Sequence, residues 1–239
     1  MKRAPGFLAA IMTTVRTSSL RRKPLGIAVV AVIALLTACG EHGSAGALFG
    51  STTADGAKES STARCFNVVG RPSQDDADLF AAAGTGDLRR VEQSLDAGAN
   101  MNATDTLKRT PLFAAAFCNQ PEVASLLLDK GSDVDAKDFL GMSPLHAAVV
   151  AGWDKVAKVL ISRGANVNTL TSAGLTPLHL AAATNQLAMV ELLLDRGANA
   201  HLRDKEGITA ASLASNNGHT KVAAAIRKWQ EKQHTSMQK

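Results

Sequence analysis

The 239-residue chain has no tyrosine, only 4% aromatic residues and just three cysteines. It also lacks Gly-x-Ser-x-Gly, His-Glu-x-x-His, Walker and Cys-x-x-Cys motifs, the short signatures of many hydrolases, zinc peptidases, nucleotidases and thiol oxidoreductases. Gly84-Thr-Gly86 has neither the third glycine nor the preceding strand of a dinucleotide site. We therefore expect no enzyme, no cofactor and no metal, and few aromatics among many alanines and leucines suit a closely packed helical fold.

A basic face for nucleic acid is also missing, although the net charge is +5. Six of the 26 basic residues lie before residue 39, where no acidic residue occurs. These six are Lys2, Arg3, Arg16, Arg21, Arg22 and Lys23. Without that segment, 20 basic residues face 21 acidic ones. Because binding to phosphate backbones needs clustered cations, the sequence predicts no nucleic-acid partner.

The N-terminal segment has the layout of a signal peptide. Basic residues precede an apolar run of about a dozen residues, which is too short for an ordinary membrane-spanning helix. The ending Leu36-Thr37-Ala38-Cys39 resembles the lipobox of bacterial lipoproteins. The resemblance implies a signal peptide at residues 1–38 that is cleaved, and a lipidated Cys39 that anchors the protein to a membrane. Since several acyl chains hold a protein stably, such an anchor would be lasting.

Alternatives to this interpretation stay open. A plain cleavable leader would make Cys39 incidental, and an uncleaved leader would itself be an anchor helix. Met12 is a second candidate start, because it would give a leader of more typical length. Residue 40 is Gly rather than Asp, and in Gram-negative lipoproteins this favours the outer membrane over the inner one, with the protein facing the periplasm.

Residues 39–64 follow as the lipidated cysteine and a Gly/Ser/Ala/Thr-rich stretch without an apolar period, which predicts a flexible tether. The folded domain is predicted at 65–231 and a polar tail at 232–239. Cys65 and Cys118 are the two thiols that lipidation leaves, in a compartment where disulfides persist. They either form a bridge or remain two small, partly buried cysteines.

One interval organises the rest of the chain. Proline at 111, 144 and 177, leucine at 79, 112, 145 and 178, and glycine at 98, 131, 164 and 197 recur every 33 residues. This period predicts a stack of small units that bury their apolar faces on one another. The units span about 72–103, 104–136, 137–169, 170–202 and 203–231, the first and last being polar-faced caps.

Each repeated residue has a physical use. Thr110, Ser143 and Thr176 precede the prolines as N-caps, and a proline at the first helical position loses no hydrogen bond. The glycines at 131, 164 and 197 end the second helices, where a left-handed residue is needed, and those at 141, 174 and 207 serve the turns.

The third unit, which contains Ser143-Pro-Leu-His-Ala-Ala and Gly164-Ala-Asn-Val-Asn168, resembles the ankyrin repeat. The resemblance implies an all-α repeat solenoid of about five helix-turn-helix units with β-turn tips, whose role is to bind other proteins. It also implies that His146 and His179 tie neighbouring units by hydrogen bonds. The competing interpretation is that the two histidines bind a metal together. It fits poorly because zinc needs its ligand nitrogens at about 2 Å from the ion, whereas stacked helices lie about 8–10 Å apart.

In ankyrin proteins the partner-binding positions are the turn tips and the exposed side of the first helices, which together form a concave face. Carried over to this sequence, these positions are Leu107, Arg109, Phe117, Phe139, Leu140, Met142, Val150, Trp153 and Leu175. Phe139, Trp153, Phe117 and Arg109 are the predicted anchors, since aromatic residues and arginine carry much binding energy. The alternative is that Phe139 or Trp153 merely packs against a neighbouring tip.

The sequence thus predicts a monomeric, lipid-anchored periplasmic module that binds one protein partner on its concave face. A more specific hypothesis is an immunity protein that neutralises a secreted toxin acting in the periplasm, such as a phospholipase. The alternative is an envelope scaffold or stress-protection factor that supports another periplasmic protein. A host-directed effector is less compatible with a lipid anchor.

Overall fold

The computed structural model describes residues 73–237, with side chains to Gln233. The predicted signal peptide, the predicted tether, Cys39 and Cys65 lie outside the described residues. Ten α-helices make up the described part, in pairs. The first helices of the pairs are α1 Gln74–Thr85, α3 Pro111–Phe117, α5 Pro144–Ala151, α7 Pro177–Ala183 and α9 Ala210–Asn216. The second helices are α2 Leu88–Asp96, α4 Pro121–Asp129, α6 Asp154–Ser162, α8 Leu187–Asp195 and α10 Thr220–Met237.

The helices form two layers that share one apolar core. Each first helix packs against its own second helix and against the first helix of the next pair. The core consists of small residues of the first helices, such as Ala115 and Ala148, and of stripe residues of the second helices, such as Leu127 and Leu160, all fully buried. Small side chains let neighbouring helices approach closely, so each repeat is stabilised chiefly by its neighbours.

The first helices begin as the sequence predicts. The side chains of Thr110, Ser143 and Thr176 each accept from the backbone N–H three residues later, and proline follows at the first helical position. Ser73 caps α1 in the same way. The carboxylate of Asp76, three residues after Ser73, accepts from the N–H of Asn100 at 2.7 Å.

Between consecutive repeats, tight turns project as tips, and an aspartate organises three of the four. In the second repeat, Asp105 Oδ1 accepts from the N–H groups of Leu107 and Arg109, at 2.8 and 2.9 Å. Asp138 and Asp204 repeat this arrangement, and Thr171 takes the position in the fourth repeat. Each carboxylate thereby satisfies amides that a short turn cannot pair by itself.

Neighbouring tips are joined by backbone hydrogen bonds. Phe139 N–H donates to the carbonyl of Leu107 at 2.9 Å, and Ser172 N–H donates to that of Leu140 at 2.8 Å. We call this array the tip row, defined as residues 105–109, 138–142, 171–175 and 204–208. The tips therefore form one continuous edge.

A second ladder joins the repeats at the ends of the second helices. The side chains of Asn102, Asp135 and Asn168 accept from the backbone N–H groups of residues 133, 166 and 199, at 3.1, 3.1 and 2.7 Å. Asp76 makes the equivalent bond for the first repeat. This ladder adds a polar tie between neighbouring repeats just after the second helices end.

The two histidines fill the core between tips and first helices. The N–H of Ser143 donates to His146 Nδ1 at 3.1 Å, and Nε2 faces the carbonyl of Leu175 at 3.2 Å. Because a carbonyl only accepts, Nε2 carries the proton and the ring is neutral. His179 repeats the pattern between Thr176 and Ile208. These bonds confirm that the histidines tie one repeat to the next.

The last repeat closes the stack with a polar face. Exposed Ser215 and Asn216 replace Ala182 and Ala183 of the preceding first helix, and exposed Ser212 replaces His179. Helix α10 runs to Met237, beyond the predicted end of the repeat at 231. Within residues 73–237, no helix combines the length and the apolar character that crossing a membrane requires.

Substitution of Gly141 tests the contact between tips. Gly141 and Gly207 occupy the same turn position, with φ of 73° and 79°, but a Cβ on Gly141 would lie 2.7 Å from the Ser172 nitrogen, whereas one on Gly207 would meet nothing within 4 Å. Both alanine variants carry the left-handed strain of about 1 kcal/mol. In urea unfolding we expect Gly141→Ala to lower the free energy of unfolding by about 1–3 kcal/mol more than Gly207→Ala does, because overpacking has a cost of this size. Equal losses would contradict a tight tip-to-tip contact.

The histidines predict a pH dependence. Burial lowers the pKa of His146 to about 4, and burial also lowers that of His179. As pH falls, these histidines are therefore protonated in the unfolded chain before they are protonated in the folded one. The contribution of neutral His146 to the free energy of unfolding is complete above the ordinary pKa of 6.5 and is lost as pH falls towards 4. For His146 we expect a loss of about 1 kcal/mol between about pH 7 and 5.5. In urea titrations His146→Gln should flatten this slope, and an unchanged slope would contradict the assignment.

Candidate functional site

The nine predicted partner-binding residues fall into three classes of exposure. Phe139 is 60% exposed, Leu107 42% and Trp153 37%. Leu140, Phe117 and Arg109 are half-buried. The remaining three belong to the core. Only the first two classes can touch a partner without a change in the fold.

Met142, Val150 and Leu175 are corrections to the predicted site. Met142 is 1% exposed, and Val150 and Leu175 are 7% exposed. Met142 and Leu175 are the last residues of their turns, whose backbone returns to the core; the carbonyl of Leu175 accepts from His146. Val150 lies in the last turn of α5. Their burial gives them a structural role, so the prediction that they belong to an exposed binding face is wrong.

Arg109 is not available as an anchor either. Its Nε donates to Asp105 Oδ2 at 2.7 Å, and a terminal nitrogen lies 2.5 Å from the same oxygen. The Arg109 side chain is 13% exposed and that of Asp105 is fully buried. Breaking a buried pair would leave an uncompensated charge. The guanidinium thus stabilises its own turn.

Leu107, Phe139 and Leu140 form an apolar surface that we call the tip patch. Leu107 and Phe139 belong to neighbouring tips and are joined through the backbone bond between them. The matching positions of the fourth and fifth repeats hold small or charged residues, namely Ser172, Ala173, Lys205 and Glu206. The tip patch is thus confined to the second and third repeats, and Leu170, which is 43% exposed, lies just before the tip of the fourth repeat. An exposed apolar patch of this kind is typical of an interaction site.

Trp153 and Phe117 lie elsewhere. The Trp153 indole N–H donates to the carbonyl of Phe117 at 2.9 Å, across the gap between two repeats. Helix α5 separates Trp153 from the tip patch by about 12 Å, at 1.5 Å per residue. The structure therefore does not bring Trp153 and Phe139 into one cluster.

The position of Trp153 has a structural role in other repeats as well. Gln120 donates to the carbonyl of Gly84, and His219 Nε2 faces the carbonyl of Ala183 at 3.1 Å. These residues are 33 positions before and 66 after Trp153. The indole N–H therefore acts as a tie between repeats, and only the exposed part of the ring remains for a partner. This favours the packing interpretation for Trp153.

The exposed charges of the tips are mostly cationic. Asp105, Asp138 and Asp204 are buried, with one carboxylate oxygen of each accepting amides of its own turn. Burial raises the pKa of Asp138, opposed by hydrogen bonds from the N–H groups of Met142 and Leu140 and by the charge of Arg109. The exposed charged residues at and next to the tip row are Lys108, Lys137, Arg203, Lys205 and Glu206.

No cluster in the described part of the chain suits a metal: there is no group of three or more His, Cys, Asp and Glu side chains able to hold an ion. His146 and His179 each use both ring nitrogens in hydrogen bonds. Cys118 is half-buried at the end of α3. Because Cys65 lies outside the described residues, the bridge between them stays a prediction.

Several contacts and conformations of these residues were not predicted from the sequence. The turn role of Asp105 was visible as a 33-residue recurrence, but its ion pair with Arg109 was not predicted. The ladder residues Asn102, Asp135 and Asn168 recur at the same interval and could have been found in that way. Lys108 has φ of 58° in a position where the other tips have glycine. Lys108 directly follows Leu107 in the sequence, but its left-handed conformation is known only from the structure.

The comparisons with known proteins agree with this architecture. One family model, ankyrin repeats in three copies, matches residues 79–171, and a second, ankyrin repeats in many copies, matches residues 160–214. No curated protein matches the chain at a significant level. Ankyrin repeats are typically non-enzymatic scaffolds that bind other proteins. With residues 79–214 matched and five helix pairs stacked in register, the chain belongs to the ankyrin-repeat family.

Proposed function

We propose that this chain is a lipid-anchored periplasmic protein that holds one protein partner on its tip patch. The observation that carries the proposal is the exposed pair of Leu107 and Phe139 on adjoining tips. Neither side chain is needed to close the core, whose residues are buried behind the turns. The proposed binding surface is therefore smaller than the predicted concave face: it is the edge of that face in the second and third repeats.

The energetics of the patch favour a protein partner. Burial of a large apolar side chain stabilises a complex by about 1.5–3 kcal/mol. Phe139, at 60% exposure, sits on a turn held by the Asp138 carboxylate and by the bond to Leu107. Since the backbone beneath the ring is already ordered, little entropy is lost on binding.

The double variant Phe139→Ala with Leu107→Ala tests the patch. Both positions are exposed, so we expect the urea midpoint to stay unchanged and the partner's affinity to fall by at least about tenfold, which corresponds to 1.4 kcal/mol. The measurement is capture of the partner from envelope extract by the full chain, followed by titration of the captured protein.

Leu88→Ala is the matched control, because Leu88 is 40% exposed but lies at the start of α2. It should leave capture intact. If Leu88→Ala weakens capture as much as the double variant does, or if the double variant binds normally, the patch is not the binding site. Trp153→Phe, which keeps an aromatic side chain but removes the indole N–H bond to Phe117, should lower stability rather than affinity.

The lipid anchor is the second part of the proposal. It is supported by the Leu36-Thr37-Ala38-Cys39 ending after an apolar run. We expect the expressed protein to incorporate an alkyne-labelled fatty acid and to sediment with membranes, and Cys39→Ser to abolish both. Cys118→Ser is the control and should keep the label. An unlabelled wild-type protein would refute the lipobox interpretation, and separation of inner from outer membranes would locate the anchor.

Immunity against a periplasm-acting toxin is our preferred biological role for this binding. A protein held near the membrane by its anchor would meet a lipid-directed toxin such as a phospholipase at the surface where that toxin acts. The envelope scaffold is the competing role. Co-expression of the captured partner in the periplasm separates the two: a toxin kills cells that lack the ankyrin protein, whereas a client of a scaffold loses abundance without it.

A further inference from the structure

We propose that the segment recognised by the tip row is acidic, with apolar side chains flanked by aspartate or glutamate. This inference rests on the proposed function, since it specifies the partner chemistry of the same site. It comes from which charges of the tips are exposed and which are occupied, rather than from the net charge of the chain.

Two cations of the tip row are unused by the fold. Lys108 lies beside Leu107 in the second repeat, and Lys205 lies at the same turn position as Phe139, two repeats further on. Both are exposed, and neither ammonium group has a hydrogen bond or an ion pair with another residue among 73–237. These two groups can therefore pair with a ligand without losing an internal bond.

Two further cations extend the row. Lys137 Nζ donates to the carbonyl of Leu170 at 3.0 Å, and an Arg203 terminal nitrogen donates to that of Gly207 at 2.7 Å. These bonds to neutral carbonyls orient both exposed side chains without neutralising them. The tip row thus carries exposed positive charge in the second, third and fifth repeats, and Lys108 lies next to the tip patch.

The anions of the same region are not presented to a partner. Each turn aspartate has an oxygen occupied by two amide groups of its own turn, and Asp105 is also paired with Arg109. Glu206 is the single exposed carboxylate of the tip row. Complementary charge increases the association rate and rejects partners of like charge. An acidic segment with apolar residues therefore fits this edge.

The outer helices supply the contrast. Helix α2 exposes Arg89 and Arg90 but also Glu92 and Asp96. On the adjoining second helices, Arg163 is paired with Asp129. Cations are also exposed on α6 and α10, for example Lys155 and Lys228. The tips differ from these helices because their exposed cations lie beside an exposed apolar patch.

The test uses a photo-crosslinking amino acid, p-benzoylphenylalanine, in place of Phe139 in the full-length chain, mixed with native envelope extract. Mass spectrometry of the crosslinked peptide then identifies the contacted segment. We expect a segment of net negative charge that contains aliphatic or aromatic residues. The same photo-reactive residue at Leu88 controls for random collision.

Charge variants complete the test. A synthetic peptide of the crosslinked segment should bind Lys108→Glu with Lys205→Glu about tenfold more weakly than wild type, as two reversed surface charges imply. Lys155→Glu with Lys158→Glu on α6, both exposed, makes the same change in net charge away from the tips. It should leave the peptide's affinity unchanged.

The outcomes separate this inference from the proposed function. A neutral or basic segment at position 139, or equal effects of the two double variants, overturns the inference while the binding function stands. Absence of any protein crosslink overturns both. Binding to phosphatidylglycerol vesicles that the Lys108/Lys205 variant abolishes, without a protein crosslink, would assign the row to anionic lipid instead and equally overturn the proposal.

Discussion

The fold depends on one constraint: short helices and tight turns leave many backbone amides without partners, and buried amides must be paired. Helices of seven to twelve residues dominate this stack, so their ends are a large share of the structure. The chain solves the problem with side chains that recur every 33 residues. Thr110 and its equivalents cap the helices, Asp105 and its equivalents hold the turns, and Asn102 and its equivalents join the repeats.

The same constraint explains why the repeats need each other. The bond from His146 to Leu175 ends on a carbonyl of the next repeat, and the bond from Trp153 ends on one of the preceding repeat. Both the polar ties and the apolar packing therefore join neighbouring repeats along the axis of the stack. Stability is then a sum of units and interfaces rather than the property of one core. Recurrence of a residue at the repeat interval indicates such a tie.

The features that could be predicted from the sequence were those that recur every 33 residues. The helix starts at Pro111, Pro144 and Pro177 and the left-handed glycines followed from local chemistry, and the structure has both. The binding surface could not be obtained in this way. Position within a turn did not show that Met142 and Leu175 point inward while Phe139 points outward, because exposure depends on how neighbouring tips pack. Nor could spacing reveal that the Arg109 guanidinium returns to Asp105.

The backbone conformation of Lys108 is not explained by the requirements of the fold. The other three tips place glycine at its position, and a non-glycine residue with φ of 58° carries a strain of about 1–2 kcal/mol. The fold gains nothing visible in exchange, because the ammonium group has no hydrogen bond or ion pair within residues 73–237. Strain of this kind persists where the surroundings hold it and clusters at ligand-binding positions. A strained cation of this kind beside Leu107 supports the proposal that the tip patch binds a partner.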